Sequence, residues 1–145
     1  MAYKTETIKG KIFEDKTFSF PVRIYYEDTD AGGIVYYANY LKFAERARTE
    51  YLRHLGINQE NMLKEQDIGF VVRECHIRYK SPAKLDDALN ITCRVTEFKT
   101  VSLTMEQKLY RGDTVLAEIE ISLVFLSLST MHPTKIPKEI TNLLK

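Results

Sequence analysis

Between Phe18 and Leu126 apolar residues recur at every second position in five stretches and at helical spacing in a single long one. Few folds accommodate that imbalance. The alternating stretches are Phe18 to Tyr26, Phe70 to Tyr79, Ala88 to Phe98, Val101 to Tyr110 and Val115 to Leu126, each with one face suited to burial. Leu89, Ile91, Cys93 and Val95 share a face, as do Val101, Leu103, Met105 and Leu109. Val115, Ala117, Ile119, Ile121, Leu123 and Phe125 form a third such set. Pro21 removes a ladder N–H from the first strand, which places that strand at an edge. The helical stretch carries Phe43, Ala44, Ala47, Tyr51, Leu52 and Leu55, with Glu45, Arg46, Arg48, Glu50 and Arg53 among them. Asn39 reads as its N-cap and Gly56 as its C′ residue, a helix of about sixteen residues.

Shorter helices are expected from Asn58 to about Gln66 and from Lys138 to Leu144, and residues 1–16 as a loose arm. Arg111-Gly112-Asp113-Thr114 reads as a hairpin turn, and Ser81-Pro82-Ala83 with Asp86-Asp87 as another reversal. The order is strand, long helix, then four strands in a meander. The economical solution is a single α+β domain, a five-stranded antiparallel sheet wrapped around one long helix. An open edge strand favours pairing with a second copy, so a homo-oligomer, a dimer at least, is expected.

The net charge of +1 is spread along the 145 residues, which gives no electrostatic footprint for nucleic acid or a membrane surface. The longest apolar run, Ile34 to Ala38, is far too short to span a bilayer. The first residues lack the apolar centre of a secretory signal. Cys75 and Cys93 sit inside alternating apolar runs and read as buried free thiols, which points to a reducing cytoplasm.

The chemistry concentrates where the first strand gives way to the helix, at Tyr25-Tyr26-Glu27-Asp28-Thr29-Asp30-Ala31-Gly32-Gly33-Ile34-Val35-Tyr36-Tyr37-Ala38-Asn39-Tyr40. The first turn of a helix carries N–H groups without partners and a partial positive charge. Gly32 and Gly33 have no side chains to keep a ligand away. A carbonyl oxygen against the amides near Tyr36 and Tyr37 would be polarised as in an oxyanion hole. Asp30, just before this turn, could serve as general base on a water or attack the carbonyl itself. A thioester suits such sparse equipment, because a thiol of pKa about 8.5 leaves as thiolate near neutral pH without a strong general acid.

The bland alternative is an acidic turn that only caps a helix. A calcium loop starting at Asp28 fails, since Gly32 and Asn39 fall where ligands are needed. A phosphate loop fails for want of Gly-Lys-Ser/Thr, and no Gly-x-Ser-x-Gly elbow is present. His54, His76 and His132 lack zinc-ligand spacing, and His76 lies with Glu74 and Arg78 on a polar strand face as a solvated or interfacial residue.

The run Asp28-Thr29-Asp30-Ala31-Gly32-Gly33-Ile34-Val35-Tyr36-Tyr37-Ala38-Asn39-Tyr40 resembles the signature of hotdog-fold acyl-CoA thioesterases of the 4-hydroxybenzoyl-CoA thioesterase type. Glu45-Arg46-Ala47-Arg48-Thr49-Glu50, Phe70-Val71-Val72-Arg73 and Tyr79-x-x-Pro82-Ala83-x-x-Asp86-Asp87 are similar to the Tol-Pal-associated (YbgC-type) branch. The resemblance covers roughly residues 18–140. It implies a hotdog fold, a dimer whose strand after the helix pairs with its copy, often two dimers in a tetramer, and active sites at the dimer interface. It maps the catalytic acid onto Asp30, the polarising amide onto Tyr37 and the branch's preceding tyrosine onto Tyr26. Where the best-known member of that branch has histidine in the first helical turn, this chain has Tyr37; a backbone amide does not depend on that side chain.

The implied activity is acyl-CoA hydrolysis without any cofactor, coenzyme A being part of the substrate. Gly33, Tyr36 and Asn39 would shape the binding site, with Tyr26 and Asn39 placed to fix Asp30. Lys80, Lys84 and Lys99, at strand ends or turns, are candidates for the coenzyme A phosphates. The competing expectation is a module that binds acyl carrier protein or lipid-synthesis enzymes with little hydrolysis. A hotdog hydratase would want an Asp/His pair that the motif lacks.

Overall fold

The computed structural model describes residues 3–145. Its sheet has six strands, not the five expected: β1 (Lys11–Ile12), β2 (Phe18–Arg23), β3 (Ile68–Tyr79), β4 (Ala88–Phe98), β5 (Ser102–Arg111) and β6 (Thr114–Ser127). The order across the sheet is β1-β2-β4-β5-β6-β3, antiparallel throughout. The added strand lies inside the stretch expected as a loose arm, whose first two residues fall outside the described ones. Its two residues pair only with Phe18 and Ser19, too short a stretch for any period to reveal. Pro21 therefore sits where β2 is open on its outer side, as its missing N–H requires.

Helix α1 (Asn39–His54) matches the expected length and lies on the inner face of β2, β4 and β5. Phe43, Ala44, Ala47, Tyr51 and Leu52 bury against Phe18, Ile91, Leu109 and Ile119. The Phe18 and Tyr51 rings stack with centroids 5.2 Å apart. The helix ends at Gly56, with φ +86°. Ile57 N–H donates to the Leu52 carbonyl and Gly56 N–H to that of Arg53, the paired C-terminal bonds that a left-handed residue permits. At the other end the expected cap fails. Asn39 is already helical, and its side chain makes no cap bond.

Two polar residues share the core face. Arg48 Nη1 donates to Gln107 Oε1 at 2.8 Å. Gln107 Nε2 donates to the Ala44 carbonyl at 2.9 Å and to Cys93 Sγ at 3.2 Å. Bulges shift three registers. The one near the start of β6 turns Leu116 into the core and leaves Val115 half-buried, the reverse of the expected alternation. Helices α2 (Gln59–Gln66) and α3 (Lys138–Leu144) lie where the sequence puts them. Among the described residues no helix is long and apolar enough to cross a membrane.

β3 pairs with β6 along one side and, among the described residues, with nothing on the other. Because α1 packs mainly on β2, β4 and β5, the inner face of β3 is left accessible. Cys75 consequently lies exposed, contrary to the buried thiol expected, whereas Cys93 is fully buried.

Candidate active site

The alternation of β2 ends at Arg23, and Ile24 is tied to the β3–β4 loop rather than to a strand. Its N–H donates to the Asp87 carbonyl at 2.9 Å, and Asp86 N–H donates back to Ile24 at 3.1 Å. A single 3-10 turn follows, Tyr26–Asp28. The Asp28 carboxylate closes it, accepting the Tyr25 N–H at 2.8 Å. This acid is buried, and its backbone carbonyl accepts both the Tyr36 N–H at 3.0 Å and Asn39 Nδ2 at 2.9 Å. Asp28 thus clamps the two ends of the connecting loop together. In the sequence Asp28 reads as the failed start of a calcium loop and as the first acid of the thioesterase-type run, and neither reading marks it as structural.

Asp30 points the other way, into solvent. It begins a tight turn, with Asp30 N–H donating to the Ile34 carbonyl at 2.9 Å and Gly33 N–H to the Asp30 carbonyl at 3.0 Å. Its Oδ1 accepts the Gly32 N–H at 2.9 Å, so one carboxylate oxygen is fixed. The glycines act locally: Gly33 takes φ +81°, and a Cβ at Gly32 would come within 3.2 Å of Asp30 Oδ1. The turn is also anchored from outside. Val35 N–H donates to the Ala83 carbonyl at 2.9 Å, and Ala83 N–H donates to the buried Tyr40 hydroxyl at 3.0 Å.

The helix start separates its amides into two kinds. The Tyr36 N–H is committed to Asp28, so it has no free N–H for a substrate. Among the described residues the Tyr37 N–H has no partner. Tyr79, at the end of β3, donates its hydroxyl to the Tyr37 carbonyl at 2.9 Å and packs edge-on against Tyr37 and Tyr40. Partial burial, with Tyr37 and Tyr40 beside it, holds the Tyr79 hydroxyl above its ordinary pKa, so it stays a donor at neutral pH. Tyr79 is not among the site residues the sequence suggests; its approach to Tyr37 is visible only once β3 lies beside the helix start.

Tyr26 is 83% exposed, not on a buried strand face as the alternation suggested. Asn39 holds Asp28, while Asp30 is held by Gly32 and Ile34 instead of by Tyr26 or Asn39. Of the three lysines, Lys84 lies nearest the turn, in a bridge with Ile34. Lys80 is at the same end of the sheet, with Nζ 2.8 Å from Glu118. Lys99 lies beyond the far end of β4, an eleven-residue strand away, roughly 33 Å. Within one chain it is not part of this site.

Residues 24–144 match the thioesterase-like superfamily. The chain belongs to that superfamily. The acyl-CoA thioesterase YbgC of Haemophilus influenzae is 48% identical to it over 126 residues, covering 87% of this chain and 93% of the relative. A probable thioesterase from Bartonella henselae is similar in structure, with a TM-score of 0.79 and 32% identity over 82% of this chain and 98% of the other. The 4-hydroxybenzoyl-CoA thioesterase in complex with 4-hydroxybenzoyl-CoA superposes with a TM-score of 0.84. It is 22% identical and covers 89% of this chain and 99% of its own, which shows the shared hotdog-type thioesterase fold.

Proposed function

We propose that this chain hydrolyses acyl-CoA to a free acid and coenzyme A. The observation that carries the reading is a fixed, outward carboxylate at Asp30 beside a helix start whose Tyr37 N–H is unpartnered. The 48% identity to an acyl-CoA thioesterase supports the substrate class. Asp30 takes a proton from water, or attacks the thioester carbon directly. The carbonyl oxygen gains negative charge and is met by the Tyr37 N–H and the positive end of α1. The C–S bond then breaks, and the thiolate leaves without needing a strong acid, its thiol pKa being about 8.5.

The reading extends to a cytoplasmic enzyme of the Tol-Pal-associated branch that works as a dimer, two of which pair into a tetramer. The unpaired edge of β3 supports the dimer, since a twelve-residue edge of free N–H and C=O groups templates a second copy. Tyr25, Tyr26, Ile34, Tyr36 and Tyr37 are all exposed around Asp30, an apolar surface that a partner would cover. Lys84 and Lys80 then serve the phosphates from the same chain, and Lys99 only from a partner.

Thiol release from short, medium, long and aromatic acyl-CoAs, with Asp30→Asn alongside, tests this. Turnover in the parent and a drop of about 10²–10⁴ in a folded variant is expected. Near-normal activity of Asp30→Asn would sink the catalytic assignment. No turnover on any member, from a folded oligomer, would favour a module that binds acyl carrier protein.

A further inference from the structure

We propose that Arg111 is a positioning residue for the reaction: with Asp87 it fixes the loop of residues 80–87, and that loop sets the Asp30 turn against the helix start that carries the Tyr37 N–H. The inference rests on the reading of this chain as an acyl thioester hydrolase.

The loop grips the site through one buried residue, Ala83. The Ala83 carbonyl accepts the Val35 N–H at 2.9 Å, and the Ala83 N–H donates to the Tyr40 hydroxyl at 3.0 Å. Val35 follows Ile34, whose carbonyl accepts the Asp30 N–H at 2.9 Å and which bridges to Lys84. Tyr40 lies in the first turn of α1, three residues after Tyr37. A single peptide from neither segment therefore ties the turn of the acid to the start of the helix. The carboxylate and the polarising amide stand on different pieces of backbone, so their separation depends on that tie.

Arg111 holds the loop on both sides of Ala83. It is the last residue of β5, paired with Thr114 across the hairpin, so its backbone belongs to the sheet. Its Nη1 donates to the Pro82 carbonyl at 3.2 Å and to Asp87 Oδ2 at 2.8 Å. The same carboxylate oxygen accepts the Lys84 N–H at 2.8 Å. Pro82 is thus held directly and Lys84 through Asp87, with Ala83 between them. The Arg111 and Asp87 side chains are 37% and 21% exposed. An ion pair so open to solvent adds little of its own to global stability, so its effect is local. Catalysis is the property sensitive to a local shift, since a displacement of about 1 Å can cost about 10²-fold in rate.

Arg111→Gln tests this against Arg94→Gln, which breaks a comparably exposed pair, Arg94 with Glu106, on the same sheet but with no bond to the loop. Two readouts are taken: kcat and KM on an acyl-CoA, and amide hydrogen exchange by NMR at Val35. In Arg111→Gln kcat should fall about five-fold or more with KM within about two-fold. Val35 exchange should rise about ten-fold, while the Ile57 N–H at the far end of α1 keeps its parent rate. Arg111→Lys keeps a cationic donor and should recover most of both losses; Arg94→Gln should show neither. Should Arg111→Gln fail to fold, Asp87→Asn breaks the same pair from the loop side and carries the same expectations. Unchanged Val35 exchange in the folded variant overturns the inference. So does unchanged kcat, or an equal kcat loss in Arg94→Gln. A parent that releases no thiol from any acyl-CoA overturns the hydrolase reading instead, and Val35 exchange alone then decides whether Arg111 holds the turn.

Discussion

The Tyr79 hydroxyl donates to the Tyr37 carbonyl at 2.9 Å, linking the last residue of β3 to the residue whose N–H is without a partner among the described residues. The bond orients Tyr37 from outside the helix, at a point where the helix itself supplies no partner. Tyr79→Phe removes one hydrogen bond worth about 0.5–1.5 kcal/mol and keeps the ring packing. If Tyr37 polarises the thioester, kcat should fall about three- to ten-fold with KM little changed. Steady-state kinetics on the preferred acyl-CoA decide it; a rise in KM alone would make Tyr79 a binding contact.

Gly33 holds φ +81° in the turn that carries Asp30, and nothing lies within 4 Å of where its Cβ would be. Gly33→Ala therefore meets backbone strain and no clash, a cost of about 1–2 kcal/mol. The melting temperature should fall by a few degrees. Activity should fall further than stability explains, because the turn sets the direction of the carboxylate. Equal losses in Gly33→Ala and in a matched variant at Gly112, which has φ +60° in the β5–β6 turn, would refute a role in positioning.

Burial works against the Asp87 carboxylate, but the Lys84 N–H and the Arg111 guanidinium, each 2.8 Å away, outweigh it and hold its carboxyl below the usual range. A carboxyl depressed by folding stabilises the protein above its unfolded value, about 3.9, and loses that contribution as pH falls through the folded value. The loss belongs below about pH 4. Asp87→Asn should cost about 1–2 kcal/mol at neutral pH and show a shallower acid decline than the parent. Urea midpoints at neutral pH and at pH about 3 give both numbers.

Burial pushes the Cys93 thiol up to about 12, with Arg48 and Gln107 opposing it, and the Tyr51 hydroxyl up to about 12. Both groups stay protonated in the folded chain. Their stabilisation is whole below the unfolded values, about 8.5 and 10, and is lost as pH climbs toward the folded ones. The protein should weaken between about pH 9 and 12, by up to about 1.4 kcal/mol per pH unit for each group. Tyr51→Phe and Cys93→Ala should each flatten that alkaline limb in denaturant titrations. An unchanged slope in both would place the alkaline weakness elsewhere.

The long helix, its glycine end and five of the strands were legible because periods of two and of 3.6 are hard to confuse over ten residues. β1 was not, since two residues carry no period. Arg48 and Gln107 were legible in principle. Arg48 follows Ala44 by four on the buried helix face, and Gln107 falls between Met105 and Leu109 on the buried strand face. Their polarity hid a position that the spacing already assigned to the core. Cys75 departs from its alternation for the opposite reason: the period is regular, but α1 packs mainly on β2, β4 and β5 and leaves this part of β3 accessible. At the junction, residue types identified an acid, glycines and a helix start. They could not say which of Asp28 and Asp30 points inward, because irregular backbone has no period, nor that the Tyr36 amide is already committed.

Asp28 is buried and bonded, whereas Asp30 faces solvent from a turn two residues on. Under the mechanism proposed above, folding and chemistry fall to separate acids on one short loop. A lineage could lose or exchange the outward one and still inherit a well-formed protein, so descendants that keep the shape while abandoning hydrolysis are within a single codon's reach.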